Sequence, residues 1–257
     1  MTETEQLKQE IELLKKQLAE SKRMSRVYLQ NVAHKLTAPL SAIKWSIEAF
    51  KNENIPIHRR SNLLRSVYSQ ATILVHLIKN FSLMSNLEAD EQLGQMRNQE
   101  DIDPMLLAIN LTNDFQPQAA EQGNKRIEVD DVSFKTVLQG RKLKAEKNLI
   151  AQALSNLLEN AVKYSDADSK IFVQANKGGD FGISVASVGL PITEADKKRI
   201  FERGERGVEA KKRVPAGTGI GLYLASRVMR LHDGTLNLDT TGRASCFTLT
   251  FPRSRLK

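Results

Sequence analysis

The chain has 257 residues, 40% of them hydrophobic, a single cysteine, and 38 Lys plus Arg against 30 Asp plus Glu, a net charge of +8. That length and apolar content suffice for one or two packed cores and exclude a disordered chain, and one cysteine excludes an internal disulfide framework. No apolar run approaches the ~20 residues of a membrane span, the polar start MTETEQLKQE is expected to carry no signal peptide, and the chain reads as cytoplasmic.

Residues 1–24 carry charges of both signs, and Leu7, Ile11, Leu14 and Leu18 recur in steps of four and three, a heptad seam. Its phase continues through Ser21, Ser25, Tyr28 and Val32, so the spacing predicts one continuous helix of a parallel dimer that joins an upstream sensor module to the rest of the chain. Over residues 28–50 (YLQNVAHKLTAPLSAIKWSIEAF), Val32, Leu36, Leu40, Ile43, Ile47 and Phe50 form the buried stripe of a bundle helix. His34 lies ~200° around from Val32 and is expected to face solvent, where a nucleophile can be reached. Pro39, five residues on, removes a helical hydrogen bond beside it.

KNENIPIH, residues 51–58, breaks the pattern and is expected to be a loop. A second helix succeeds it, with Leu64, Val67, Ala71, Leu74, Ile78 and Phe81 on one stripe. One antiparallel hairpin cannot bury both faces, so two copies are expected to form a four-helix bundle. Residues 89–101 lose periodicity and read as a hinge, and from Ile102 onward alternating helix and strand patterns predict a mixed sheet covered by helices.

Two boxes carry the chemistry. NLLENAVKYS occupies residues 156–165 and GTGIGL residues 217–222. An asparagine amide oxygen is a hard, neutral ligand that holds Mg²⁺ without cancelling the charge the metal brings to a triphosphate, and Asn160 is the candidate. Asn156, Asn160 and Lys163 fall at i, i+4 and i+7, on one helical face, where the lysine adds a point charge. Gly217, Gly219 and Gly221, with Thr218 and Leu222 between and after them, let backbone approach a phosphate at the start of a helix. Together the boxes point to ATP with Mg²⁺. The basic excess is concentrated between them, in DKKRIFERGERGVEAKKR (residues 196–213), which suits a triphosphate; no nucleic-acid reading element accompanies it, so no nucleic acid is expected as a partner.

From about residue 101 to 257 the chain resembles the Bergerat-type ATPase domain of sensor histidine kinases, shared in outline with gyrase and MutL. EKNLIAQALSNLL looks like the lead-in helix, IFVQANKGGDFGISVASVGLPI a strand pair ending in the first glycine box, IFERGER the phenylalanine box, and HDGTLNLDTTGRASCFTLTFP the closing hairpin. Residues 28–50 resemble the family's histidine box, with His34, Leu36, Pro39 and Leu40 matching.

The resemblance implies a multidomain chain. A signalling helix over 1–24 and a dimerisation and phosphotransfer hairpin over 25–90, forming the all-α four-helix bundle of a homodimer, are followed by a linker over 91–101 and an α/β sandwich ATP-binding domain over 102–257. It implies a histidine kinase that phosphorylates His34 and passes the phosphoryl group to an aspartate on a response-regulator receiver domain. In that scheme Lys163 and the lid arginines Arg203 and Arg206 meet the charge of the transferring group. Asn156, Tyr164, Ser187, Gly189 and Leu222 help to bind nucleotide, and Asn160 holds the metal. The alternative is a nucleotide-binding pseudokinase acting as a dimeric scaffold.

Three positions depart from the family pattern. Lys35 stands where an acid usually orients the imidazole, Ala38 where Thr or Asn usually positions a hydrolytic water, and Ser187 where Asp usually accepts from the adenine amino group. Slow phosphorylation, weak phosphatase activity and modest nucleotide affinity are expected from them. His58, His76 and His232 read as structural or surface residues, Trp45 as bundle packing, and Cys246 as a strand position without chemistry.

Overall fold

The computed structural model describes residues 3–51, 56–90, 98–214 and 217–257. Two long helices come first. α1 (Glu3–Phe50) runs unbroken through the heptad stretch and the histidine segment, with Pro39 inside it, and α2 (Ile57–Asp90) folds back along it. Near the turn the Arg60 guanidinium lies 5.9 Å from the Phe50 ring centroid. Ile57 and His58, read from sequence as loop, belong to α2. Proline presets the dihedral angle of helix entry, and the Pro56 carbonyl accepts from the amides of Arg59 and Arg60 at 2.9 and 3.1 Å.

A hairpin covers only one side of each of its helices. Pro39, Ser46 and Ser69 are buried, whereas Leu40, Ile47, Leu64 and Ile78 are each about half exposed. The expected buried stripe of α1 is therefore split within one copy: Leu36 and Ile43 are half-buried, and Leu40, Ile47 and Phe50 stand open. Trp45, expected to pack, is 71% exposed for the same reason. In the heptad stretch Ile11 and Leu14 are exposed, while the side chains of Leu7, Leu18, Ser21, Ser25, Tyr28 and Val32 lie outside the described residues.

The second unit starts with β1 (Glu100–Ile102), α3 (Pro104–Glu121), β2 (Arg126–Val129), α4 (Asp131–Leu138), β3 (Leu143–Ala145) and α5 (Lys147–Tyr164). It continues with β4 (Lys170–Gly178), β5 (Asp180–Val188), α6 (Glu194–Arg199), α7 (Val208–Arg213), α8 (Gly221–Leu231), β6 (Thr235–Thr241) and β7 (Ala244–Phe251). β1 pairs with β3, so Glu100 and Asp101 of the expected linker are already in strand; residues 91–97 lie outside the described residues. The main sheet has the order β2-β4-β5-β7-β6, with β2 and β4 parallel and the other pairs antiparallel.

Alternation explains the sheet. Ile171, Val173 and Ala175 of β4 are buried and Phe172 between them is exposed, the period of two expected of a strand with one face on the core. α3, α5 and α8 supply the helical layer, through Leu154, Leu158 and Val162 of α5 and Leu224 and Val228 of α8. Asp103 caps α3, accepting from the Met105 and Leu106 amides at 3.0 and 3.1 Å. Buried Lys125 donates to the Val162 carbonyl in the last turn of α5, a favourable place for a cation; burial and the nearby Arg213 charge hold its pKa below the ordinary value. Near the end of α2, Leu83 and Met84 are buried in the same core, which joins the hairpin to the α/β unit. Among the described residues no helix is long and apolar enough to cross a membrane.

His232, at the end of α8, is fully buried and structural, as expected. Its Nδ1 donates to the Val228 carbonyl at 2.8 Å and its Nε2 accepts from the Glu146 amide at 3.1 Å, which fixes a neutral ring. Burial pushes its pKa below the ordinary 6.5. The unfolded chain therefore takes up a proton near pH 6.5 that the native chain refuses, so His232 contributes stability above that pH and loses it as pH falls toward the depressed native value. Thermal unfolding measured from pH 8 to pH 5 should show a decline in wild type that is flatter in His232→Gln; equal slopes would remove His232 as its source.

Candidate nucleotide-binding cleft

α5 is apolar where it meets the sheet and α8, through Ile150, Leu154, Leu157 and Val162, and polar along its C-terminal half, where Glu159, Asn160, Lys163 and Tyr164 open into a cleft. This cleft encloses about 1340 Å³ of space continuous with solvent. Val185, Ile192, Ile200, Ile220, Leu222 and Phe247 make its apolar half. Ser187 lies on β5 opposite Ile171 and Ser245 and also lines it.

The glycine loop closes the polar end. Gly219 has φ +67°, and a Cβ there would come within 2.6–2.7 Å of backbone atoms of Gly204 and Glu205, so only glycine fits. The Gly204 amide donates to the Gly219 carbonyl at 3.1 Å, tying the turn of the phenylalanine segment to the loop. α8 starts two residues later with no side chain capping it, so amides of its first turn are available to an anion in the cleft.

Lys163 lines the cleft paired with Glu159, a buried carboxylate one turn earlier. Arg206 also lines it, but its guanidinium donates to the carbonyls of Gly217 at 3.2 Å, Ala210 at 2.6 Å and Val214, and to the Tyr164 hydroxyl at 3.3 Å. Arg213 donates to the Tyr164 and Ser165 carbonyls at 3.3 and 2.8 Å. The two arginines staple the lid, with α7 in it, over the end of α5, so Arg206 spends its donors on backbone where sequence assigned it to phosphate.

The cleft thus gathers Asn160, Lys163, Tyr164, Ser187, Gly189, Arg206, Gly217, Thr218, Gly219, Gly221 and Leu222 of the sequence-based set. Asn156 and Arg203 do not line it; Asn156 is 1% exposed and sits behind the wall. His34 lies on α1. Its side chain and that of Lys35 lie outside the described residues, and Thr37, Ala38 and Ser41, which share its helical face, are exposed. Sequence reasoning missed Glu159, whose i,i+4 spacing to Lys163 was the available signal, and Asp196, whose carboxylate accepts at 2.9 Å from the hydroxyl of Thr193, the residue that caps α6. It also missed Leu77 and Asn80 of α2, for which sequence holds no signal.

The cleft's elements coincide with a known family. Residues 145–255 match the model described as histidine kinase-, DNA gyrase B- and HSP90-like ATPase. The sensor-like histidine kinase SenX3 of Mycobacterium tuberculosis is 28% identical over 229 residues, covering 88% of this chain and 53% of that protein. What the match shows is an ATPase domain of this kind over residues 145–255. It spans about half the length of the relatives it matches. The fold is also that of the histidine kinase AdeS of Acinetobacter baumannii, with a TM-score of 0.53 at 19% identity over 85% of this chain and 97% of that one. Full-length ShkA, solved in complex with AMPPNP, gives 0.55 at 19% identity over 90% and 45%. The matched stretch supplies every wall of the cleft except the one made by α2.

Proposed function

We propose that the chain is the catalytic core of an ATP-dependent protein-histidine kinase that phosphorylates His34 and hands the phosphoryl group to an aspartate of a response-regulator receiver domain. The observation that carries this reading is the cleft itself, where an apolar slot, the Asn160 amide and the bare first turn of α8 meet in the order adenine, metal and phosphate require.

Among the described residues no three His, Cys, Asp or Glu side chains converge on a metal position. The donor chemistry nevertheless fits Mg²⁺, because a neutral amide oxygen at Asn160 suits a cation whose remaining ligands are water and triphosphate oxygens. Bound there, Mg²⁺ would offset the charge of the phosphates. Lys163 exchanges its partner Glu159 for phosphate oxygen, and Ser187 accepts from the adenine amino group. The unprotonated nitrogen of the His34 imidazole attacks the γ-phosphorus, the bond to the β-phosphate oxygen breaks, ADP leaves, and the ring's other nitrogen gives up its proton to solvent. Lys35 offers no carboxylate for that proton and Ala38 no hydrogen bond for a hydrolytic water, so the forward reaction is slow and the phosphatase branch weak.

Incubating the chain with γ-labelled ATP tests the reading. Acid-labile, base-stable label on the protein is expected; bound nucleotide without label would leave only the scaffold alternative.

The open apolar side of the hairpin belongs to the same proposal. Leu40, Ile47, Leu64, Tyr68, Val75 and Ile78 are each about half exposed, more apolar surface than a lone hairpin leaves to water, and a second copy completes a four-helix bundle. Ile47→Glu with Ile78→Glu should turn the dimer into a monomer, because each buried carboxylate would lie unpaired in the seam. Sedimentation velocity reads this directly, and a double variant that stays dimeric would move the interface elsewhere.

A further inference from the structure

The nucleotide cleft has one wall from outside the α/β unit, formed by Leu77 and Asn80 of α2. The Asn80 carboxamide makes two hydrogen bonds to α5: its Nδ2 donates to the Asn156 Oδ1 at 2.9 Å, and its Oδ1 accepts from the Gln152 Nε2 at 2.8 Å. Gln152 and Asn156 are one turn apart on one face, 5% and 1% exposed, and the next turn on that face carries Asn160. The Asn156 Oδ1 also lies under the first residue of α8, since a Cβ on Gly221 would come within 3.1 Å of it. One carboxamide therefore reaches, through Asn156, both the turn that bears the candidate metal ligand and the turn whose amides face the anion. Leu83 and Met84, one turn further along α2, are locked in the core and hold Asn80 at this height.

We propose that Asn80 is a positioning residue of the nucleotide site: the helical hairpin fixes the orientation of Asn156, and with it Asn160 and the start of α8, so that affinity for Mg-ATP depends on a residue that belongs to the phosphotransfer hairpin. The inference rests on the reading of the cleft as an ATP site. Its physical basis is that a buried amide group deprived of its partner reorients toward whatever donor remains, and Asn156 has the first glycine of α8 directly above it.

Titrating the full chain with Mg-ATP, wild type against Asn80→Ala and Asn80→Asp, decides the matter. Asn80→Ala, which removes both bonds to α5, should raise the dissociation constant about five- to tenfold, chiefly through the lost bond to Asn156. Asn80→Asp should raise it further, because a carboxylate oxygen then opposes the Asn156 Oδ1 where a donor stood. A packing role predicts the reverse order, since aspartate keeps the volume of asparagine. A purely structural role would lower the unfolding temperature and leave the dissociation constant unmoved. Should an Asn80 variant fail to fold, Gln152→Ala, which leaves the bond from Asn80 to Asn156 in place, should raise the constant about two- to fivefold. Affinities within about twofold of wild type in the folded variants, or alanine worse than aspartate, overturn the inference while leaving the ATP reading intact. A wild-type chain that does not bind Mg-ATP overturns the reading and the inference together.

Discussion

Replacing His34 by alanine will leave a chain that folds and binds Mg-ATP and takes up no acid-labile phosphate. The expectation is all-or-none because near neutral pH the imidazole offers an unprotonated nitrogen where lysine and arginine are protonated, and the four histidines are not equivalent. His232 is buried with both ring nitrogens engaged, so no lone pair is available for attack. His58 lies at the second position of α2, beside the turn and remote along the helix from Leu77 and Asn80, which line the cleft. His76 is on α2 beside that wall but lacks a proline five residues on, the feature that sets His34 in α1 apart. Phosphate retained after His34→Ala, mapped by mass spectrometry to His76, would move the acceptor to the other helix of the hairpin. Circular dichroism of the variant should match wild type, since the exposure of Thr37, Ala38 and Ser41 shows that this helical face carries no packing.

What could be read in the chain was what is local to it. The asparagine and glycine boxes announce their chemistry because Asn160 and Lys163 share a helix face by spacing alone, and Gly219 must be glycine for a backbone reason that any neighbouring turn would impose. The closing hairpin of β6 and β7 and the strand pair of β4 and β5 were legible from alternation. Where sequence reasoning fell short, the answer lay in contacts between distant segments. Arg206 looks like any lid arginine until Gly217, Ala210 and Val214 present their carbonyls to it. Asn80 looks like a surface residue of an amphipathic helix until α5 is laid against it. β1 is three residues long, too short for any period to show, and Pro56 reads as a breaker although it leads directly into α2. The hairpin stripe was visible, yet half of it is open in the single chain, and the two-copy bundle proposed above is what would cover it.

Asn160→Ala should lower affinity for Mg-ATP by on the order of 100-fold or more, since even residues that only support a metal ligand are worth about 10- to 100-fold. The geometry singles out Asn160 over Asn156: Asn160 is half-buried and lines the cleft, whereas Asn156 is sealed behind it and its amide oxygen accepts from Asn80. Asn160→Asp should fail as well, for a different reason. It keeps an oxygen ligand but puts a second negative charge beside Glu159, which already draws on Lys163, and both charges then face the triphosphate. Calorimetric titration separates the two variants. Alanine should abolish the Mg²⁺ dependence of nucleotide binding, leaving the weak residual affinity of metal-free ATP, while aspartate should bind Mg²⁺ alone more tightly than wild type and Mg-ATP more weakly. Neither change touches the core, so unfolding temperatures should stay within a few degrees of wild type. An alanine variant that binds Mg-ATP as wild type does would show that the metal is held by other groups, and the assignment of the cleft's polar end would have to be redrawn around Glu159 and Lys163.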